Sequence, residues 1–280
     1  MSDKKTFFES LEPKSALIVG VVAGFLVLGT IGFLVTLGIL LGGKGGNTDK
    51  NLAANTNTPV VNANQPAPVT PTVPKAKKPK VELFVMSYCP YGLQMEKAYL
   101  PAWSLLKDKA DISLKFVSYA MHGLKEVEEN TRQYCIAKEQ GDKLISYLTC
   151  FSGKDDTPGC LKEAKINEGK MNNCVASANK DFGVMEKYND QASWLSGRYP
   201  IYPIHQAEND QYSVQGSPTL VINGQEASVS RTPEAVKLAI CAGFEDAPKE
   251  CETVLSNASP QPGFGVGTAA AAVDPAACAT

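Results

Sequence analysis

Hydrophobic patterning divides the chain into segments of different kinds. Residues Ala16 to Leu41 form 26 consecutive residues without a charge. As a helix this run is about 39 Å long, against a hydrocarbon core of about 30 Å, so it predicts a single uncleaved transmembrane helix over 16–41. A signal-peptide core is shorter, roughly 7–15 residues, and no clear A-x-A cleavage site follows at once. Lys4, Lys5 and Lys14 precede the run, and Lys44 and Lys50 follow it. That lysine distribution leans towards a cytoplasmic segment at 1–15. From 42 to 79 the chain is Gly, Asn, Thr, Pro and Lys with few large apolar groups. Such a stretch buries too little surface to offset its ordering entropy, so a disordered linker is expected. The Ala/Gly/Pro-rich tail, 256–280, reads the same way. One globular domain remains, at 80–255.

Within that domain Val81-Glu-Leu-Phe-Val-Met86 is a short apolar run suited to a buried strand. A helical pattern follows from about Gly92 to Lys107, and Asp111 to Tyr119 alternates as a strand. From Leu124 to about Tyr188 the composition is helical, broken at Gly141, Gly153, Pro158 and Gly169. Gly141 can end one helix and Asp142 can cap the next. Thr219 to Ile222, the turn Asn223-Gly224, and Glu226 to Val229 read as a β-hairpin. Thr232-Pro233-Glu234 opens a last helix, with Thr232 as its cap. The order is β-α-β, a helical block at about 121–212, then β-β-α. The predicted class is therefore α/β: a thioredoxin-like order with an inserted helical subdomain, preceded by the transmembrane helix.

Composition then removes several functions. Lys+Arg is 27 and Asp+Glu 29, a net charge of −2, without the basic excess of a nucleic-acid binder. Two histidines, no H-E-x-x-H and no paired C-x-x-C argue against a zinc enzyme. No G-x-x-x-x-G-K-[ST] is present, and no metal or organic cofactor is expected. Eight cysteines stand out and point to disulfides or redox chemistry.

The first of them carries the chemistry. In Ser87-Tyr88-Cys89-Pro90-Tyr91-Gly92, Cys89 falls where the first strand gives way to the first helix. Unpaired backbone N–H groups and the helix dipole favour an anion there. A thiol so placed should have a lowered pKa and act as a nucleophile. A second element, Gly216-Ser217-Pro218-Thr219, immediately precedes a strand. An X-Pro in that position is by itself an ordinary turn with a trans bond. In a thioredoxin-like frame this loop would lie beside the thiol.

Here the sequence resembles known families. The frame is similar to the thioredoxin superfamily in its DsbA-like branch. The stretches Cys135 to Gly141 running into Phe151, and Gly216 to Gly224, carry that likeness. Within that frame it resembles more closely the gamma-interferon-inducible lysosomal thiol reductase family, with its signature C-Q-H-G-x2-E-C-x2-N-x4-C. His122, Gly123, Glu126, Asn130 and Cys135 fall at the matching spacing, while Ala120 and Val127 replace the two earlier cysteines. The later Cys150, Cys160 and Cys174 also resemble that family's spacing. The resemblance covers about 80–245 and implies thiol–disulfide exchange with polypeptide substrates. Cys89 and Pro218 would then be the catalytic residues, supported by Pro90, Tyr91, Gly92, Ser217 and His122. His122 reads first as a packing residue, with an acid/base role as the sharper alternative, and His205 reads as structural. Tyr88, Tyr91 and Trp103 are weaker candidates for a substrate groove.

One departure matters. The family uses C-x-x-C, and here the second position is Gly92. A motif with one thiol attacks a disulfide but needs glutathione, a redox partner protein or another cysteine to release its product. Gly92→Cys should restore the pair without loss of helix stability, since Gly is a poor helix former. The remaining cysteines read as structural. Cys241 with Cys251, and Cys150 with Cys160, bracket short loops, which leaves Cys135 with Cys174; sequence alone does not fix this connectivity. Cys89 and Cys278 fall outside those pairs. Three bridges imply an oxidising compartment. Together with the apolar run this places the protein in a cell membrane as a single-pass protein in contact with lipid, its C-terminal domain outside the cytoplasm. Two functions follow: a membrane-anchored thiol–disulfide oxidoreductase acting through Cys89, or a redox-inactive thioredoxin-like module that binds polypeptides at the cell surface.

Overall fold

A computed structural model of the chain describes residues 72–269. Strand β1 (Lys80–Val85) exposes Lys80 and buries the five residues after it, as expected of a central strand covered on both faces. β2 (Asp111–Phe116) alternates, with Ile112, Leu114 and Phe116 inward. β3 (Thr219–Ile222) is buried throughout, and β4 is only Gln225–Glu226. The sheet order is β2-β1-β3-β4. β1 pairs parallel with β2, Leu83 opposite Leu114, and antiparallel with β3, Leu83 opposite Leu220. Asn223 and Gly224 both take positive φ, the geometry of a two-residue hairpin turn.

A parallel β1–β2 pair requires a crossover, and α1 (Pro90–Leu106) supplies it. Its apolar residues Leu93, Ala98, Tyr99, Ala102 and Leu106 join the main core. α8 (Pro233–Ala242) packs beside α1. Thr232 Oγ1 accepts the Ala235 N–H at 3.1 Å, the expected cap. Between β2 and β3 lie α2 (Leu124–Gln140), α3 (Leu144–Lys154), α4 (Thr157–Glu163), α5 (Glu168–Phe182), α6 (Val184–Asn189) and α7 (Gln206–Tyr212). This is a mixed α/β, thioredoxin-like fold with a helical insertion. Cys135–Cys174 ties α2 to α5, Cys150–Cys160 ties α3 to α4, and Cys241–Cys251 ties the end of α8 to the turn that follows. α3 also rests on α1, so the insertion is seated on the helix that carries Cys89 at its start.

Several expectations change. The transmembrane helix expected at 16–41 lies outside the described residues. Among the described residues no helix is long and apolar enough to cross a membrane. The longest, α1 and α2, have 17 residues each, about 26 Å, and both carry charged side chains. The described residues therefore give no support to a preceding transmembrane helix, to single-pass placement in a cell membrane with a cytoplasmic N-terminus and an extracytoplasmic domain, or to lipid as a partner. The end of the expected linker is packed: Val73 is buried, and Ala76 pairs with Phe244. Asp142 does not cap α3; it sits in a 3₁₀ turn, Gly141–Lys143, that joins two helices without a clean break. The start of the expected disordered tail, 256–269, is also packed, and it bears on the site.

Candidate active site around Cys89

Cys89 is the N-cap of α1. The chain leaves β1 at Val85, turns through Met86 to Tyr88, and enters the helix at Pro90, whose missing N–H costs nothing at that position. The Cys89 N–H donates to Met86 O at 3.0 Å, closing the turn. The Cys89 Sγ accepts the Gly92 N–H at 3.4 Å. A sulfur on this axis sees the positive end of the helix, which favours thiolate. Burial opposes it: Cys89 is 0% exposed, among Met86, Tyr91, Val117 and Val214.

The 216–219 loop closes one side. Ser217–Pro218 is a cis peptide bond, where the general preference predicted trans. Ser217 O accepts from Cys89 Sγ at 3.5 Å, and Ser217 Oγ accepts the Met86 N–H at 2.9 Å. The same hydroxyl fills the space over Gly92. A Cβ built at residue 92 would lie 2.5 Å from Ser217 Oγ, 3.1 Å from Met86 O and 3.2 Å from the Cys89 Cβ. The expected free exchange of Gly92 for Cys is thus corrected: a side chain at the second motif position is crowded by Ser217 and the Met86 carbonyl.

α2 closes the other side. Asn130 Oδ1 accepts the Ser87 N–H at 3.1 Å, and Glu126 Oε2 accepts the Tyr88 N–H at 3.2 Å. Both side chains are fully buried. Glu126 Oε1 also accepts the N–H groups of Met121 (2.8 Å) and His122 (3.3 Å). His122 Nδ1 lies 2.6 Å from Glu126 Oε2. That hydrogen bond raises the His122 pKa above its usual value against partial burial, with a further contribution from the charge at Cys89. His122, Glu126 and Asn130, three of the spaced signature positions, therefore converge on the loop that presents Cys89. Glu126 and Asn130 were visible in the sequence only as signature residues, with no role attached.

Other candidates fall elsewhere. Trp103 packs against Tyr99 in the core, with ring centroids 5.5 Å apart. Tyr91 is buried beneath Arg231, whose guanidinium carbon lies 4.8 Å from the ring centroid. His205 is structural: its Nδ1 accepts the Phe116 N–H at 3.1 Å, and burial lowers its pKa to about 4.

Sequence reasoning missed the strap formed by residues 256–269. It crosses the first two turns of α1. The Gly263 N–H donates to Pro90 O at 2.8 Å. Lys97 Nζ donates to the carbonyls of Gln261, Gly263 and Gly265 at 2.7, 2.8 and 3.0 Å. Gln94 Nε2 donates to Ser259 Oγ and Pro260 O at 3.2 and 2.8 Å. Phe264 sits edge-on to Tyr88 and Phe151, at centroid distances of 5.5 and 5.3 Å. Gly263 and Gly265 take positive φ, which alternates the carbonyls towards Lys97. The only sequence signal was the Gly-Phe-Gly-Val-Gly run itself, which reads equally well as a disordered tail.

Among solved structures the chain is similar to three thiol–disulfide proteins in particular. These are the reduced disulfide bond oxidoreductase DsbG of Mycobacterium tuberculosis (20% identity, TM-score 0.43, 64% of this chain and 89% of that one), DsbA of the same organism in oxidised form (20%, 0.44, 62% and 87%), and BdbD of Bacillus subtilis (17%, 0.39, 65% and 93%). The structural neighbours are DsbA-like thiol–disulfide oxidoreductases. No protein-family profile and no curated protein matches the chain. At these identities the likeness concerns the fold, and the chemistry of the site rests on its own geometry. Among the described residues no cluster of His, Cys, Asp and Glu could hold a metal ion.

Proposed function

We propose that this chain is a thiol–disulfide oxidoreductase that acts on polypeptide disulfides through Cys89. The observation that carries the reading is the position of Cys89 as N-cap of α1, its sulfur accepting the Gly92 N–H and facing the Ser217–Pro218 loop. In the first step the Cys89 thiolate attacks one sulfur of the substrate disulfide. A mixed disulfide forms, the substrate S–S bond breaks, and the other sulfur leaves as a thiolate that takes a proton. A second thiol must then attack the mixed disulfide. Position 92 does not supply it, because Gly92 stands there with Ser217 Oγ over it. Glutathione, a redox partner protein or a cysteine elsewhere in the chain is required. Pro218 and Ser217 form the wall against which the substrate disulfide aligns, and Pro90, Tyr91 and Gly92 shape the first turn.

The test is formation of a mixed disulfide at Cys89 with a peptide disulfide at pH 6, followed by peptide-resolved mass spectrometry. An activated thiol reacts faster than a model thiol of ordinary pKa. The complete burial of Cys89 favours a second reading, a polypeptide-binding module without turnover. Absence of the adduct together with retained peptide binding would establish that reading instead.

A further inference from the structure

Glu126 is a carboxylate in the interior, and every group around it donates. Oε1 receives two backbone N–H groups, from Met121 and His122. Oε2 receives the Tyr88 N–H and lies 2.6 Å from His122 Nδ1. An amide in place of the carboxylate would turn its NH2 towards donors. The site is therefore built for a carboxylate that accepts on both oxygens. The 2.6 Å contact has the length of a charge-assisted bond, and a carboxylate there puts the proton on Nδ1. His122 is thereby held in one tautomer, and its Nε2 is the nitrogen left for other chemistry. The His122 side chain is 28% exposed, whereas that of Glu126 is 0% exposed. The same carboxylate grips the backbone of Tyr88, one residue before Cys89, so the imidazole and the thiol share one anchor. The charged and titratable groups bearing on the imidazole are Glu126 and Lys125 from α2, and Cys89 from the start of α1. Lys125 is drawn aside, its Nζ 4.1 Å from the Tyr88 ring centroid.

We infer that Glu126 is a positioning residue for exchange at Cys89, fixing His122 with Nδ1–H towards the carboxylate so that Nε2 serves as the proton partner of the sulfurs. This rests on Cys89 being the nucleophile. Nε2 takes the proton of the Cys89 thiol, giving a thiolate–imidazolium pair. The thiolate attacks one substrate sulfur, the substrate S–S bond breaks, and its electron pair leaves with the other sulfur. The imidazolium Nε2–H then protonates that leaving thiolate. One thiol and one disulfide become a mixed disulfide and a new thiol, with no external oxidant or reductant.

The experiment is the rate of Cys89 alkylation by iodoacetamide against pH, read on the Cys89 peptide by mass spectrometry, in the full-length chain. The variants are Glu126→Gln, His122→Gln and the double variant, with circular dichroism to confirm folding. The expected result is that each single variant moves the midpoint of the profile upward by about one pH unit. At pH 6 that is roughly a tenfold loss of rate, converging with wild type above pH 9. Glu126→Gln should add no further shift in the His122→Gln background. A profile lowered equally at all pH values by Glu126→Gln, or the same additional shift with His122 already replaced, would show that Glu126 only supports the loop and would overturn the proposal. If Glu126→Gln does not fold, His122→Gln alone decides: a wild-type profile in that variant overturns it, and a shifted one supports it. The underlying reading fails differently, by absence of a Cys89 adduct with the peptide disulfide in the wild-type protein.

Discussion

Two regions hold the segment around Cys89, by opposite means. Below it, Glu126, Asn130 and Ser217 use side-chain oxygens to accept backbone N–H groups of residues 86–88. Beside it, Lys97 and Gln94 use side-chain nitrogens to bind backbone carbonyls of the 256–269 strap. In the cradle the tertiary partner supplies chemistry, so each position demands a particular side chain. In the strap the backbone supplies the acceptors, so its sequence need only bend correctly and place one aromatic ring. The cradle's donors at Met86 and Ser87 are buried and that at Tyr88 is half-buried, and losing an acceptor there leaves them unsatisfied. Strap carbonyls released from Lys97 regain water. The cradle should therefore be strong and intolerant, and the strap weaker and separable.

The largest test of that contrast is Glu126→Ala. It strands three backbone N–H groups and the His122 ring, and should cost about 3–5 kcal/mol in urea unfolding. A cost below 1 kcal/mol would mean that the cradle is no stronger than a surface network. The next lies on α1, between the two regions. Glu96 is fully buried, and burial raises its pKa to about 8, with the Glu129 charge adding to it. The unfolded chain releases this proton near pH 4.5 while the folded chain retains it. Stability should therefore fall as pH rises from 4.5 towards 8, by an amount of order 3 kcal/mol. Glu96→Gln should flatten that decline, checked by urea unfolding at pH 5 and pH 8.

Gly92→Cys should destabilise by about 1–3 kcal/mol, because its Cβ meets Ser217 Oγ. Ser217→Ala combined with it should recover most of the crowding cost, and a thermal melt of the three variants measures the coupling. The smallest effect belongs to the strap. Lys97→Met should cost about 1 kcal/mol or less globally. It should speed hydrogen exchange at the Gly263 and Gly265 amides about tenfold, leaving Ser87 and Tyr88 unchanged. Equal acceleration at both sets of amides would show that strap and cradle open together.

The sequence by itself determined what depends on neighbours a few positions apart. The apolar run at 81–86, the Asn223-Gly224 turn, the Thr232 cap with Pro233, and the start of a helix at Cys89 are local matters. They are settled by side-chain period, turn conformation and N–H groups that lie within one helical turn. Short cysteine spacings brought out two of the three bridges on the same ground. Tertiary structure alone decided what depends on distant approach. Ser217 reaches Met86 across 131 positions, Glu126 reaches Tyr88 across 38, and Lys97 reaches Gly265 across 168. Such pairs follow no period, and a buried Glu reads in sequence as an ordinary surface residue of a helix. Gly92 shows the difference most plainly. Locally it is a poor helix former and an apparent vacancy for a second thiol, but in the folded protein the Ser217 hydroxyl already occupies the space where a side chain would go.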